Sequence, residues 1–429
     1  MNLKKWYADR GPKFITQRAS KLFSRYGISA QRSKTRIEDS MQTLAKFGCA
    51  PTFFTPGTVV ERYPQFIQGL QKEGAEIAVH SYQHIDLSAI KPAEAVDQLM
   101  KALSVFEKFG IENHGFRGPY LGCSKELLDS IPADLFEYSS NQAIWVDGPA
   151  LDSARNQTLI FDTLRRFYQP APSSETVSNP SMRTNLLEIP VCVPDDLQLH
   201  DGLNLKSPGI SQVWIEMLQQ THARGDLFNL IFHPELSSIC TESFEILLEQ
   251  AKLLKPAVWI TRLCDINDWW KEKAGFKVDV HPNSEGLTLE FTCSARGTVL
   301  AKGFDHTYSD NLWNETYFEL QDKTLTLPTN QHPFVGLDYK APEQIVTFLR
   351  EQGYIVITDH MATSCEVYID AETLSRLGSQ VNIIDYIETS SAPLIRFWKW
   401  PNGAKSAICI TGDLDAMTLF DYASRLSTP

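Results

Sequence analysis

Between about Thr35 and Lys273 helical and strand-like segments alternate, and that alternation restricts the possible folds more than any other feature of the chain. In "TRIEDSMQTLAKFG" the spacing of Ile37, Met41, Leu44 and Phe47 predicts one apolar helix face. "APTFFTP" is a short apolar strand closed by Pro56-Gly57, and "VVERYPQFIQGLQKEG" predicts a helix ending at Gly74. "EIAVH" is strand-like. "KPAEAVDQLMKALSVFEKFG" is an amphipathic helix with Pro92 in its first turn and Gly110 at its end. Further strands are expected in "HGFRGPY", "NLLEIPV", "DLFNLIFH" and "AVWIT", and further helices in "SFEILLEQAKLL" and "RLCDINDWWKEK". Such a chain builds a parallel sheet or barrel with helices outside. Its functional residues belong at the C-terminal ends of the strands.

After Gly275 the pattern changes. "FKVDVHPNSEGLTLEFTCSARGTVLAKGF" alternates apolar and polar residues, with turns at Asn283-Ser284-Glu285-Gly286 and Ala295-Arg296-Gly297, which predicts antiparallel β-structure. Helix and strand return from Ala341 in "EQIVTFLREQG", "YIVIT" and "AETLSRLG", before a turn and an apolar strand in "RFWKWPNGAKSAICITGDLDA". At 429 residues the chain is long for one compact domain, so one large unit and a smaller one are expected. The formal charge of −12 argues against nucleic acid or an anionic membrane surface as partner. The eight cysteines include no Cys-x-x-Cys pair and suggest reduced, core-filling thiols. The basic N-terminus has no apolar core of a secretory signal and is expected to be a solvated surface helix. No stretch approaches the roughly 20 apolar residues of a membrane span, so a soluble, cytoplasmic protein is expected.

Four short patterns carry chemistry. In "EIAVHSYQHIDLS", His80 follows a strand and His84 comes one helical turn later, so both imidazoles can face one side. They are either two loop histidines or two of the roughly three protein ligands of a catalytic metal, a carboxylate being the missing one. In "HGFRGPYLG", Arg117 is either a surface arginine before a turn or a cation that holds a carboxylate. In "DLFNLIFHPEL", His233 is either a general acid or base or a core histidine bonded to a carbonyl. In "ICITGDLDA", Asp413 and Asp415 sit at a strand tip, where alternate residues face the same side. Such a pair can chelate a metal, accept a phosphoryl group, or divide into one ligand and one base.

Together these segments resemble the polysaccharide deacetylase family, the NodB-homology carbohydrate esterases. "HSYQH" matches the family's His-Ser/Thr-x-x-His motif, "RGPY" its Arg-x-Pro-aromatic motif, and "IFH" its late Leu-x-His-like motif. "TLAKFGCAPTFFTPG" looks like the family's helix and "ATFF" strand, and the resemblance covers roughly Thr35 to Lys273. The family's acidic first motif should precede "TRIEDSMQTLAKFG", where only Asp9 is found and no strand. "SAICITGDLDA" matches the Asp-x-Asp form of that motif, displaced to the C-terminus. The resemblance therefore implies a circularly permuted α/β protein: an irregular (β/α)7-type deacetylase barrel completed by a C-terminal strand. Residues 1–273 and 404–429 would form the barrel, with 274–403 an accessory segment, β-rich at 274–338 and mixed at 339–403.

The resemblance also implies roles. Asp415, His80 and His84 would bind one divalent ion, zinc. Asp413 would be the general base held by Arg117, and His233 the general acid. The Tyr120 backbone N–H would meet the oxyanion, and Tyr120, Pro119 and Trp145 would contact substrate. An acid tuning His233 is expected at Asp147, Asp195 or Asp196. The reaction implied is N-deacetylation of an N-acetylated sugar or small amide. Competing readings are a cyclic-imide or other C–N hydrolase, a non-catalytic carbohydrate-binding protein whose "RFWKWPNG" and "DNLWNETYF" aromatics stack on sugars, and, with "HSYQH" unexplained, a phosphotransferase.

Overall fold

The computed structural model describes residue 23 and residues 25–155, 161–284, 286–304 and 311–426. The basic N-terminal stretch, apart from Phe23, lies outside the described residues, as do Glu285 and Asp310 of two segments discussed above.

Each apolar run that reads as a strand before Lys273 enters one curled sheet. At its centre lies the C-terminal strand, Ser406–Asp413, with all eight residues buried. One edge pairs in parallel with Leu227–Phe232 along its length, from Leu227↔Ala407 to Phe232↔Gly412. The other edge is shared: Val258–Ile260 pairs with its first half and Thr52–Phe54 with its second, ending at Phe54↔Asp413. Beyond Thr52–Thr55 follow Glu76–Val79, Gly115–Phe116, Tyr138–Ser139 and Leu186–Glu188, all parallel. Beyond Leu227–Phe232 come Val191–Val193 and Ala143–Trp145. Strands covered on both faces carry continuous apolar runs rather than alternation, and "AICI" is such a run: Ile408 and Cys409 are 0% exposed and Ile410 is 1%.

Two prolines break segments that read as continuous. The helix expected over "VVERYPQFIQGLQKEG" is two, Gly57–Arg62 and Pro64–Lys72, because proline lacks an N–H and excludes the preceding residue from helical geometry. Tyr63 has φ −132° accordingly. "NLLEIPV" is likewise two strands, Leu186–Glu188 and Val191–Val193, split at Ile189-Pro190. These two strands lie towards opposite ends of the hydrogen-bonded order although two residues separate them. The sheet must therefore curl until its edges nearly meet.

The segment after Gly275 opens with the expected hairpin, Lys277–Asn283 against Gly286–Thr292, joined by Thr324–Leu327. Val299–Lys302 lies between Phe318–Glu319 and Leu394–Phe397 in a second antiparallel sheet. His332–Leu337 pairs in parallel with Val356–Ile357 and Cys365–Ile369. Trp398 and Trp400 share one core with Trp269, Trp270, Ala407 and Cys409. Trp400 donates to the Gly225 carbonyl and Trp269 to that of Lys399, both at 2.7 Å. The "RFWKWPNG" indoles thus pack between segments. All eight cysteines are free. Among the described residues no helix is long and apolar enough to cross a membrane.

Gly412 has no room for a side chain: a Cβ there would lie 2.8 Å from the Phe53 ring and 3.1 Å from Phe232. Gly412→Ala is expected to destabilise the protein by about 1–3 kcal/mol through overpacking. Gly69→Ala, in a helix with nothing within 4 Å of the new Cβ, should stabilise it by about 0.4–1 kcal/mol. Urea unfolding midpoints of the two variants check both signs.

Candidate functional site

The C-terminal ends of the central strands bring the four sequence patterns together. His80 leaves the Glu76–Val79 strand with its N–H bonded to the Thr55 carbonyl at 3.1 Å. The helical turn expected between His80 and His84 is not formed. Ser81 and His84 take left-handed conformations, with φ 57° and 54°, and the His84 N–H bonds the Ser81 hydroxyl at 2.9 Å. The tight turn puts both imidazoles on one side all the same, their centroids 4.9 Å apart.

The C-terminal strand stops at Asp413, and the Leu414 N–H bonds the Phe54 carbonyl at 2.9 Å. Asp415 lies beyond the strand, yet both acids reach the histidines. Asp415 Oδ1 is 2.9 Å from His84 Nε2 and 3.5 Å from His80 Nε2, and Asp413 Oδ2 is 3.9 Å from His80 Nε2.

Arg117 is not at the surface. It is 0% exposed, with Nη1 donating to Asp413 Oδ1 at 2.8 Å and to Thr411 Oγ1 at 3.1 Å. Its Nε and Nη2 donate to the carbonyl and hydroxyl of Ser140, and the guanidinium lies 4.0 Å from the Phe54 ring centre. A planar fork with all three nitrogens engaged fixes the carboxylate it meets.

His80, His84 and Asp415 fit a cation. His80 Nδ1 meets the Arg117 carbonyl at 2.8 Å, which leaves Nε2 for a ligand. Asp415 Oδ1 is buried without a hydrogen-bond partner despite its short distance to His84. The two atoms approach without satisfying one another, as donors around a shared ion do. Burial, then the neighbouring Arg425, push the His84 imidazole down to about 4, so it is neutral, the ligating form, at neutral pH. Burial works against charge on Asp415, but His84 and Arg425 outweigh it and hold the carboxyl well below its usual range.

His233 ends the Leu227–Phe232 strand and faces Asp196, with Nδ1 2.7 Å from Asp196 Oδ1. The other Asp196 oxygen accepts the His233 backbone N–H at 2.7 Å. Burial disfavours the imidazolium, but Asp196 more than compensates, and His233 titrates well above its ordinary value. Of the three candidate acids, Asp196 is the one in contact. Asp195 instead accepts from the Tyr168 hydroxyl at 2.7 Å, and burial lifts it to about 6. Asp147 accepts the Trp145 indole N–H at 2.7 Å.

Of the residues expected to meet substrate, Tyr120 stands 44% exposed with its ring 5.2 Å from that of His84. Pro119 is buried behind it, and Trp145 is 1% exposed with its N–H already spent, so neither offers a free face. Sequence reasoning missed Arg425, whose Nη1 lies 3.4 Å from Asp415 Oδ2 with a side chain 10% exposed. It also missed Glu235, bonded by the Tyr26 hydroxyl at 2.6 Å. The basic residue in the last turn of the helix after "GDLDA" was the available signal for Arg425.

A dihistidine–carboxylate cluster, an arginine-held acid and an acid-backed histidine thus gather at the strand ends of a curled parallel sheet. Residues 31–133 match the polysaccharide deacetylase family. The chain is 29% identical over 123 residues to the peptidoglycan-N-acetylmuramic acid deacetylase PdaC of Bacillus subtilis, covering 28% of this chain and 25% of that one. It is 38% identical over 64 residues to a chitooligosaccharide deacetylase of Bradyrhizobium, covering 15% of this chain and 29% of that one. The chain thus spans about a quarter of the length of these curated relatives. The solved structure of Bacillus subtilis PdaC aligns with a TM-score of 0.32 at 18% identity, over 55% of this chain and 85% of that one.

Proposed function

We propose that the protein is a metal-dependent N-deacetylase acting on N-acetylated sugars, its barrel a circular permutation of the family's order. The observation that carries this reading is the approach of Asp415 Oδ1 to 2.9 Å from His84 and 3.5 Å from His80. It brings the displaced acidic strand to the histidines of the matched family segment. On this reading the catalytic unit runs to residue 273 and resumes at 404, with 274–403 accessory.

His80, His84 and Asp415 would hold one divalent ion, and their donor set suits zinc. Such an ion, when bound, supplies Lewis acidity to the amide carbonyl and to the attacking water. The chain's own residues do the rest. Asp413, clamped by Arg117, takes the proton of the water. The Tyr120 backbone N–H donates to the carbonyl oxygen as it gains charge. His233, kept protonated by Asp196, gives its Nε2 proton to the departing amine. Water exclusion comes from burial, with His80 at 1% exposure and His233 at 5%.

The test is acetate release from N-acetylated chito-oligosaccharides by zinc-loaded protein. Asp413→Asn should lower kcat by about 10²–10⁴, the range for a lost general base. Asp415→Ala should lose bound zinc by elemental analysis; if it binds zinc as wild type does, the assignment of the C-terminal acids fails. A general acid must be protonated to act, and Asp196 raises the pKa of His233. Asp196→Asn lowers it again, so the alkaline limb of the kcat/KM profile should move to lower pH, with activity above neutrality lost first.

A further inference from the structure

Arg425 lies in the last turn of the helix Leu419–Leu426. A cation in that position suits the helix dipole, and water ordinarily meets the rest of its donors. Here the side chain is only 10% exposed. Nη1 lies 3.4 Å from Asp415 Oδ2, while Nε and Nη2 are buried with no hydrogen-bond partner among the described residues. Arg117, by comparison, has all three of its nitrogens engaged. A buried donor left unmet costs free energy, so the inward placement of Arg425 calls for an explanation.

The helix that carries Arg425 is pinned so that the guanidinium points inward. Asp421, in its first turn, pairs with Arg62 and accepts the Tyr63 hydroxyl at 3.1 Å and the Thr418 hydroxyl at 2.9 Å. The Leu419 N–H bonds the Gly27 carbonyl at 3.0 Å, and the Ser33 hydroxyl bonds the Met417 carbonyl at 2.8 Å. The Tyr422 ring stacks on Tyr26 at 5.5 Å, and the guanidinium lies 5.4 Å from the Tyr422 ring centre. Burial works against the charge on Arg425, and Asp415 is the foremost neighbour that favours it. The two oxygens of Asp415 are therefore divided. Oδ2 faces the arginine, and Oδ1 faces His84 and His80 without a hydrogen-bond partner. Asp413 is divided in the same way, with Oδ1 on Arg117 and Oδ2 turned to His80. Each acid of the pair has its own arginine.

We propose that Arg425 is a positioning residue for the cation site: by taking up Asp415 Oδ2 it leaves Oδ1 as the one oxygen offered to an ion held with His80 and His84. A carboxylate with both oxygens free can swing or chelate with both, whereas one held by a guanidinium presents a fixed atom. The inference rests on the metal-dependent reading and adds to it a residue far outside the family-matched segment 31–133. Two effects oppose each other. A guanidinium repels a dication, which weakens binding, and orients its ligand, which strengthens it. The proposal requires orientation to win, so the sign of the effect is itself decisive.

The experiment measures zinc affinity by calorimetry on folded apo-protein for wild type, Arg425→Gln, Arg425→Lys and Asp415→Ala, with urea unfolding run on each. Loss of a partner that orients a metal ligand typically costs about 10–100-fold in affinity, so Arg425→Gln should bind zinc about tenfold more weakly or worse. Arg425→Lys keeps the charge without the planar fork and should fall between Arg425→Gln and wild type. Should Arg425→Gln fail to fold, Arg425→Lys carries the same test. A purely structural arginine would lower the urea midpoint and leave the affinity of the folded protein unchanged. That result overturns the proposal, and so does tighter binding by either variant. If the Arg425 variants bind zinc as wild type does while Asp415→Ala loses it, the positioning role fails and the metal site stands. If Asp415→Ala also binds as wild type does, both fail.

Discussion

The Ser406–Asp413 strand is the element on which the fold and the site both depend. It is paired along one edge with Leu227–Phe232 and along the other with Val258–Ile260 and Thr52–Phe54. Remove it and three strands lose their neighbour at once, leaving buried backbone groups unpaired at a cost of about 1–3 kcal/mol each. The same eight residues carry Thr411 and Asp413 to the end of the sheet, so the element that completes the core also delivers the acid. Gly412, packed against Phe53 and Phe232, lets the strand run close to its neighbours at the point where Asp413 must turn towards Arg117.

Arg117 shows what that delivery requires. A fully buried guanidinium is costly unless its donors are met. Here two strand ends meet them: Ser140 on one side, Thr411 and Asp413 on the other. The charge that holds Asp413 is thus itself held, and its carbonyl orients His80. Asp413, Arg117 and His80 form one connected unit with little freedom left, the preorganisation that a reactive site requires.

Much of this was legible in the chain. Strand–helix alternation predicts the parallel sheet, and apolar runs ending in His80, Arg117, His233 and Asp413 predict that those residues share one end of it. The strand ending at Asp413 stands out in the sequence because the segment before Thr35 offers only Asp9 and no apolar run. Other features depend on geometry that periodicity does not encode. The turn joining His80 to His84 uses left-handed residues rather than a helix. The choice of Asp196 over Asp147 depends on the path of the chain after Val193. Trp145 sits near the site in sequence pattern but faces inward, because alternate residues of a fully buried strand have no solvent side. Arg425 belongs to no motif. It comes from a segment whose neighbours are decided only when the sheet curls.

That curl, and the long separation it bridges, has a consequence for how the molecule reaches its native state. Arg117 and Asp413 are 296 positions apart, so their contact closes a very long loop. Non-local pairings of this kind slow folding, because chain entropy is lost before the contacts reward it. Until Ser406–Asp413 arrives, the Leu227–Phe232 strand, apolar except at Asn229, has an open edge of the kind that recruits other chains. The segment between the barrel and its last strand shortens that search. Once its own sheets form and Trp398 and Trp400 dock on Trp269 and Trp270, Ala407 follows within a few residues of its place. A segment folded and docked in this way would hold the last strand close to the gap it fills, as a tether that raises its local concentration.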